Sequence, residues 1–200
     1  MKKHLLLNLI FFFTLNITSQ AQEALFRAQN IISPEVHQDG SVTFRLFAPN
    51  AQSVQVSGDF LPSVKIETQM GTMDGPGKAE LKKDENGVWS FKSQPLKSEL
   101  FSYSFTIDGF TTTDPSNPFL IRDVASVTNV FIVGDGQADL YRTQDVPHGT
   151  VTRRWYDSPG LEMDRRLTIY TPPGYEKSKE IYPVLYLLHG AGGDEEAWIA

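Results

Sequence analysis

The stretch Phe101-Ser-Tyr-Ser-Phe-Thr-Ile107, followed by Asp108-Gly109, constrains this chain more than any other. Side chains alternate across a strand, so Phe101, Tyr103, Phe105 and Ile107 share one face. Ser102, Ser104 and Thr106 share the other. A helix would scatter the same residues around its axis. Asp108-Gly109 then turns the chain back into Phe110–Thr113, since Asp-Gly suits a tight hairpin. A strand with one wholly apolar face needs a second layer to cover it.

The pattern recurs on both sides. Ser41–Phe47 alternates, with Val42, Phe44 and Leu46 on one face. Ala48-Pro49-Asn50-Ala51 breaks it, and Ser53–Ser57 resumes with Val54 and Val56. Met70–Lys78 holds three Gly and one Pro and reads as a loop. Asn86-Gly87 predicts a type I′ hairpin turn, with both central residues at positive φ, leading into Val88-Trp89-Ser90-Phe91. Asp114-Pro115-Ser116-Asn117-Pro118 cannot continue a sheet, because proline removes donors and fixes φ. Val127–Val133 forms a last strand, closed by Gly134-Asp135-Gly136. Short strands at regular turns predict an all-β immunoglobulin-like sandwich over residues 30–136. Trp89 could offer sugars a stacking platform. The core reading is stronger, because a sandwich interior needs large side chains. Tyr103 and Phe105 read as core on the same ground.

The N-terminus reads differently. Lys2 and Lys3 precede an apolar run, Leu5–Phe13, interrupted only by Asn8, with Ser19 and Ala21 placed for cleavage. This is the pattern of a secretory signal peptide over residues 1–21, so a secreted or periplasmic protein is expected. The run is shorter than the roughly 20 residues of a membrane span, so no membrane association is expected after cleavage. No Cys follows it to take a lipid. Removing its two lysines takes the formal net charge from −6 to −8. An acidic chain without clustered Lys and Arg is a poor nucleic-acid binder. With no Cys, thiol catalysis and cysteine metal sites are excluded. The histidines and carboxylates lack metal-ligand spacing, so neither metal nor cofactor is expected. His37 reads as exposed and His148 as structural.

Residues 137–148 read as a linker, and the segment 149–200 follows a different plan. Gly149–Tyr156 and Arg165–Thr171 read as strands, and Pro172-Pro173-Gly174-Tyr175 as a turn. Ile181-Tyr-Pro-Val-Leu-Tyr-Leu-Leu188 is a nearly continuous apolar run, as in a strand buried on both faces of a parallel or mixed sheet. It ends at His189-Gly190-Ala191-Gly192-Gly193. Glycines leave backbone N–H groups bare, and such groups can stabilise the oxyanion of an acyl-transfer intermediate. A plain glycine turn is the alternative. The strand before it favours the oxyanion reading, because α/β-hydrolases take one donor from a loop after an early strand.

Arg166-Leu-Thr-Ile-Tyr-Thr-Pro-Pro-Gly-Tyr175, then Tyr182-Pro-Val-Leu-Tyr-Leu-Leu-His-Gly-Ala-Gly-Gly193 and Trp198, resembles carbohydrate esterase family 1. That family includes feruloyl and acetyl xylan esterases and relatives of enterochelin esterase. Asp145-Val-Pro-His-Gly-Thr-Val151 resembles the join in members with an N-terminal sandwich. The sandwich resembles carbohydrate-binding module family 48 through Phe44-Arg-Leu-Phe-Ala-Pro49, Val54-Gln-Val56, Gly87-Val-Trp89, Phe101-Ser-Tyr-Ser-Phe105, Asp108-Gly109 and Asp114-Pro115. The resemblance implies the first strands of an α/β-hydrolase after the sandwich. It implies that the Ala191 N–H is the oxyanion donor, supported by Gly190 and Gly192. His189 then orients the loop, since the family's triad His lies near the C-terminus. The nucleophile sits in G-x-S-x-G, which these 200 residues do not contain. The triad is expected beyond Ala200, and this polypeptide alone is expected to lack esterase activity. The implied partner is a polysaccharide or a small ester-bearing substrate, such as feruloylated or acetylated xylan. A non-catalytic glycan-binding module and a siderophore esterase are the alternatives. Export argues against the latter. A starch-debranching hydrolase would continue into a barrel instead. Whether the sandwich binds glycan or shapes the esterase cleft stays open, as does whether Trp198 lines the acyl pocket. Asp194, Glu195 and Glu196 read as a solvated helix start.

Overall fold

Alternation decides which side chains turn inward, and it does so first in the strand Val42–Phe47, where Val42 and Phe44 are wholly buried while Phe47 is exposed. The structure, a computed structural model, describes residues 31–68, 71–123, 126–190 and 193–199. In chain order the strands are β1 (Glu35–Val36), β2 (Val42–Phe47), β3 (Val54–Gly58), β4 (Val64–Thr68), β5 (Gly71–Gly75), β6 (Gly77–Glu80) and β7 (Lys82–Lys83). Then come β8 (Val88–Lys92), β9 (Glu99–Ile107), β10 (Phe110–Thr112), β11 (Leu120–Asp123), β12 (Ser126–Val133), β13 (Thr150–Ser158) and β14 (Met163–Thr171).

One antiparallel sheet runs β1-β2-β8-β7 and the other β11-β12-β9-β3-β6, with β10 also on β9. Their inner faces meet in one core. Val42, Phe44, Leu46 and Trp89 come from the first sheet; Val54, Val56, Phe101, Tyr103, Phe105, Phe131 and Val133 come from the second. Phe44 is its hub, with ring centroids 4.8 Å from Phe60, 4.9 Å from Tyr103 and 5.4 Å from Phe131. Edge-to-face pairs at such spacings add to the gain from burial. The expected sandwich therefore stands.

Three local expectations need correction. The described part of Met70–Lys78, from Gly71 on, is not a loop: β5 pairs with β4, and β6 pairs with β3. Pairing overrides weak intrinsic strand preference here, and the glycines permit close approach. A Cβ on Gly77 would lie 2.4 Å from the Pro62 carbonyl oxygen. Asn86-Gly87 is not a type I′ turn, since Gly87 has φ 83° but Asn86 is not at positive φ. The Asp84 carboxylate holds this turn instead, accepting the Asn86 N–H at 2.9 Å and the Val88 N–H at 2.8 Å. The type I′ geometry appears at Asp108-Gly109, where φ is 48° and 92°. Strand β11 carries no alternating pattern in the sequence and is set by its pairing with β12.

After the sandwich, Gln137–Tyr141 forms a 3-10 turn at the start of the segment read as a linker, with Ala138 fully buried. The two strands expected here are present as β13 and β14, and they pair as a hairpin, in register from Thr150↔Thr171 to Ser158↔Met163. Ile181–Leu188 departs from expectation. It forms no strand, and Ile181 is 99% and Leu188 84% exposed. A strand's N–H and C=O groups need a partner ladder, and among the described residues none lies beside this segment. The described fold is thus all-β, and the α/β layer expected after the sandwich is not seen among the described residues.

Candidate functional site

The glycine loop follows the unpaired apolar segment. Ala191 and Gly192, the expected oxyanion donor and one of its supports, lie outside the described residues. Gly190 is exposed, with open space where a Cβ would project. The Gly193 N–H donates to the Gly190 carbonyl at 3.1 Å. The His189 ring lies under Gly193, where a Cβ would come within 2.9 Å of the His189 Cβ. Its Nδ1 is 2.8 Å from the Gly190 carbonyl oxygen. His189 thus contacts the residues on either side of its own loop. His148 bonds the Gln144 carbonyl at 2.9 Å and His37 the Thr43 hydroxyl at 2.7 Å. Among the described residues no group of three His, Cys, Asp or Glu could hold a metal ion.

Asp194, Glu195 and Glu196 are not a solvated helix start. They form a short turn that meets three arginines. Glu196 lies 3.1 Å from Arg122 Nε, 2.9 Å from Arg153 and 3.2 Å from Arg166. Asp194 pairs with Arg122, and Glu195 with Arg166. The Glu195 carboxyl is held below its ordinary range, first by a backbone hydrogen bond and then by Arg166. Hairpin register explains half of this arrangement. Arg153 faces Thr168 and Trp155 faces Arg166, so both guanidiniums lie on one face. Arg166 also sits over the Trp155 ring at 5.7 Å. Arg122 arrives from β11, a strand the sequence does not announce.

A second polar cluster lies inside the sandwich. Asp114 Oδ2 accepts the Ser33 hydroxyl at 2.5 Å and the Tyr103 hydroxyl at 2.8 Å. Its Oδ1 accepts the Ser116 N–H at 2.8 Å. Asn117 Nδ2 donates to the Tyr103 oxygen at 3.1 Å, and Asn129 Oδ1 accepts the Asp114 N–H at 2.6 Å. Burial pushes the Asp114 carboxyl above its ordinary range, and the three donors pull it partly back. Burial, then the Asp114 charge, pushes the Tyr103 hydroxyl up. With every group partnered, the cluster pins Asp114–Pro118 to the sheet; it is structural.

Residues 32–119 match the family described as Carbohydrate-binding module 48 (Isoamylase N-terminal domain). A module 48 domain is present. An endo-1,4-beta-xylanase/feruloyl esterase of Xylanibacter ruminicola is 31% identical over 170 residues, 82% of this chain and 22% of that protein. The chain thus spans about a fifth of the length of this curated relative. Among solved structures, a Group B Streptococcus pullulanase with maltotetraose is 19% identical, with TM-score 0.38 over 51% of this chain and 14% of that one. Ferric enterobactin esterase from Salmonella typhimurium is 17% identical, with TM-score 0.42 over 73% of this chain and 45% of that one.

Within the module 48 domain, Trp89 is core: it is 7% exposed and its Nε1 donates to the Ala48 carbonyl at 2.9 Å. It offers sugars no free face. A groove of about 1070 Å³ runs along the outer side of β9 and β12, lined by Ile32, Leu100, Ile132 and Tyr141 with Asn117 and Arg142. Phe119, also on this groove, is 69% exposed. No composition or spacing signal marks this surface, because its parts come from five separate stretches of chain.

Proposed function

We propose that this chain is the leading part of an exported serine-type carbohydrate ester hydrolase acting on feruloyl or acetyl groups of xylan-type polysaccharide. One observation carries the reading. Similarity to a protein named for xylanase and feruloyl esterase extends over 170 residues and 82% of this chain, so it runs well past the module 48 domain, whose match ends at residue 119. In the proposed reaction a Ser hydroxyl attacks the ester carbonyl while a His takes its proton. The Ala191 N–H and a second N–H stabilise the oxyanion. The alcohol leaves with the returned proton, and water then releases the acid. The nucleophile belongs to sequence these 200 residues do not hold, so this polypeptide alone is expected to be inert.

The module 48 domain closes its own core, which favours a second reading: a glycan-binding unit without catalysis. One experiment separates the two. The protein encoded by the whole gene and this 200-residue chain are assayed on methyl ferulate and acetylated xylan, and both are incubated with insoluble xylan and starch. The esterase reading expects turnover by the whole protein only. Retention on polysaccharide with no turnover by either favours the binding reading. Turnover by the 200-residue chain would overturn the placement of the nucleophile.

A further inference from the structure

The arginine cluster joins parts of the chain that sequence separates widely. Arg122 belongs to the edge strand of the sandwich, Arg153 and Arg166 to the β13–β14 hairpin, and Glu196 to the turn just after the glycine loop. The Glu196 side chain is 16% exposed although it carries a charge, and Asp194 is 14% exposed. A carboxylate so covered needs its partners, because removing them leaves a charge out of water. The Asp194 carboxylate also accepts the Glu196 N–H at 3.0 Å, and the Ala197 N–H donates to the Asp194 carbonyl at 3.1 Å. These bonds make Gly193–Ile199 a turn stapled at both carboxylates to other elements. Arg122 is the sandwich's contribution to that staple.

We propose that Arg122 is a positioning residue for the esterase part: through Glu196 and Asp194 it fixes the segment that anchors the glycine loop on its downstream side. The sandwich then shapes the acyl-transfer site as well as sitting beside it. The catalytic half of this proposal rests on the esterase reading of the loop, whereas the clasp itself does not. A sandwich serving only as a tether would raise local substrate concentration on polysaccharide and leave small soluble esters unaffected. A sandwich that positions the loop affects both, because misplacing an oxyanion donor is felt in the transition state.

The test has two arms. Amide hydrogen exchange of Gly193–Ile199 is compared in this chain and its Arg122→Ala and Glu196→Gln variants, with the melting of the sandwich as a folding control. Shared ion pairs of this kind hold a segment against local opening, so exchange should quicken by about fivefold or more in Glu196→Gln and by less in Arg122→Ala. Wild-type protection should fall with added salt more steeply than that of Glu196→Gln, which keeps only the Arg122–Asp194 and Arg166–Glu195 pairs. Unchanged exchange in both variants, with the sandwich intact, overturns the clasp. In the second arm, Arg122→Ala in the whole protein should lower kcat on methyl ferulate by roughly tenfold with KM nearly unchanged, and Arg122→Lys should recover part of it. An unchanged kcat overturns the positioning role. Absence of turnover by the wild-type whole protein removes the catalytic half together with the esterase reading, and the exchange data still decide the clasp.

Discussion

Tyr103→Phe removes one oxygen from the middle of the sandwich and leaves the packing in place. The ring is 1% exposed and keeps its neighbours Phe44, Phe105 and Phe131 at 4.9, 5.8 and 5.6 Å. The lost hydroxyl donates to the Asp114 carboxylate and accepts from Asn117 Nδ2. Asn117 retains the Val130 carbonyl at 2.9 Å, so its loss is partial. Asp114 loses one of three donors in a site that is 2% exposed. A hydrogen bond to a charged group contributes about 1.5–3 kcal/mol, and a buried acceptor left short is not rescued by solvent. A cost of about 2 kcal/mol lowers Tm by roughly 8–16 °C for a domain of this size. Calorimetric melting at pH 7 reads it. The pH dependence supplies a second check. A carboxyl whose folded pKa lies above its unfolded value contributes stability that is complete below the unfolded pKa and is lost as pH rises through the folded one. The Tyr103 hydroxyl opposes that rise for Asp114, so its removal lifts the folded pKa further. The gap between variant and wild type should be widest near neutrality and should narrow as pH falls through the Asp114 range. A Tm shift below about 2 °C, or a gap that widens in acid, would refute the account of Asp114 as a buried ionised acceptor.

Phe44→Ala should cost about 3–5 kcal/mol, because Phe44 is wholly buried and contacts three rings; urea unfolding monitored by tryptophan emission checks it. Gly109→Ala should lower stability by roughly 1–2 kcal/mol although open space surrounds the site, since its φ of 92° strains any side chain; a loss below about 0.3 kcal/mol would contradict that turn geometry. Trp89→Phe should lower Tm while leaving retention of the folded chain on xylan or starch unchanged, because Trp89 faces the core. Loss of retention at full folding would restore it as a sugar platform.

The sandwich was legible in the sequence because its determinants are local. Val42, Phe44 and Leu46, or Phe101, Tyr103 and Phe105, carry their facing in their spacing, and the structure buries them accordingly. What was not legible depends on pairing between distant segments. Strand β11 contains Arg122 and Asp123, and only β12 alongside makes it a strand. The β4–β5 hairpin hides behind glycines whose value lies in what approaches them. Asp114 reads as a turn residue before proline, while its role comes from Ser33 and Tyr103, which lie 81 and 11 residues away. The arginine cluster follows the same rule. Arg153 and Arg166 could have been placed on one face from hairpin register, but Arg122 could not.

The two halves of the chain differ for one physical reason. The sandwich supplies both layers of its own core, so its apolar faces find each other within the described residues. The segment Ile181–Leu188 carries as strong an apolar signal, yet Val184, Leu185 and Tyr186 are each more than 70% exposed. A sequence pattern of this kind states a demand for neighbours on both faces and both edges, and the described residues do not meet it. The β13–β14 hairpin shows the same deficit in milder form, since Trp155 is 70% and Tyr170 63% exposed although their strands are fully paired. Hydrogen-bonding partners are therefore present in the hairpin and covering layers are not. The charged staple at Glu196 stands at this boundary, tying the sandwich to the β13–β14 hairpin through Arg122. Ion pairs need fewer neighbours than an apolar strand does, so the Glu196 cluster forms among the described residues while Ile181–Leu188 finds no partner strand there.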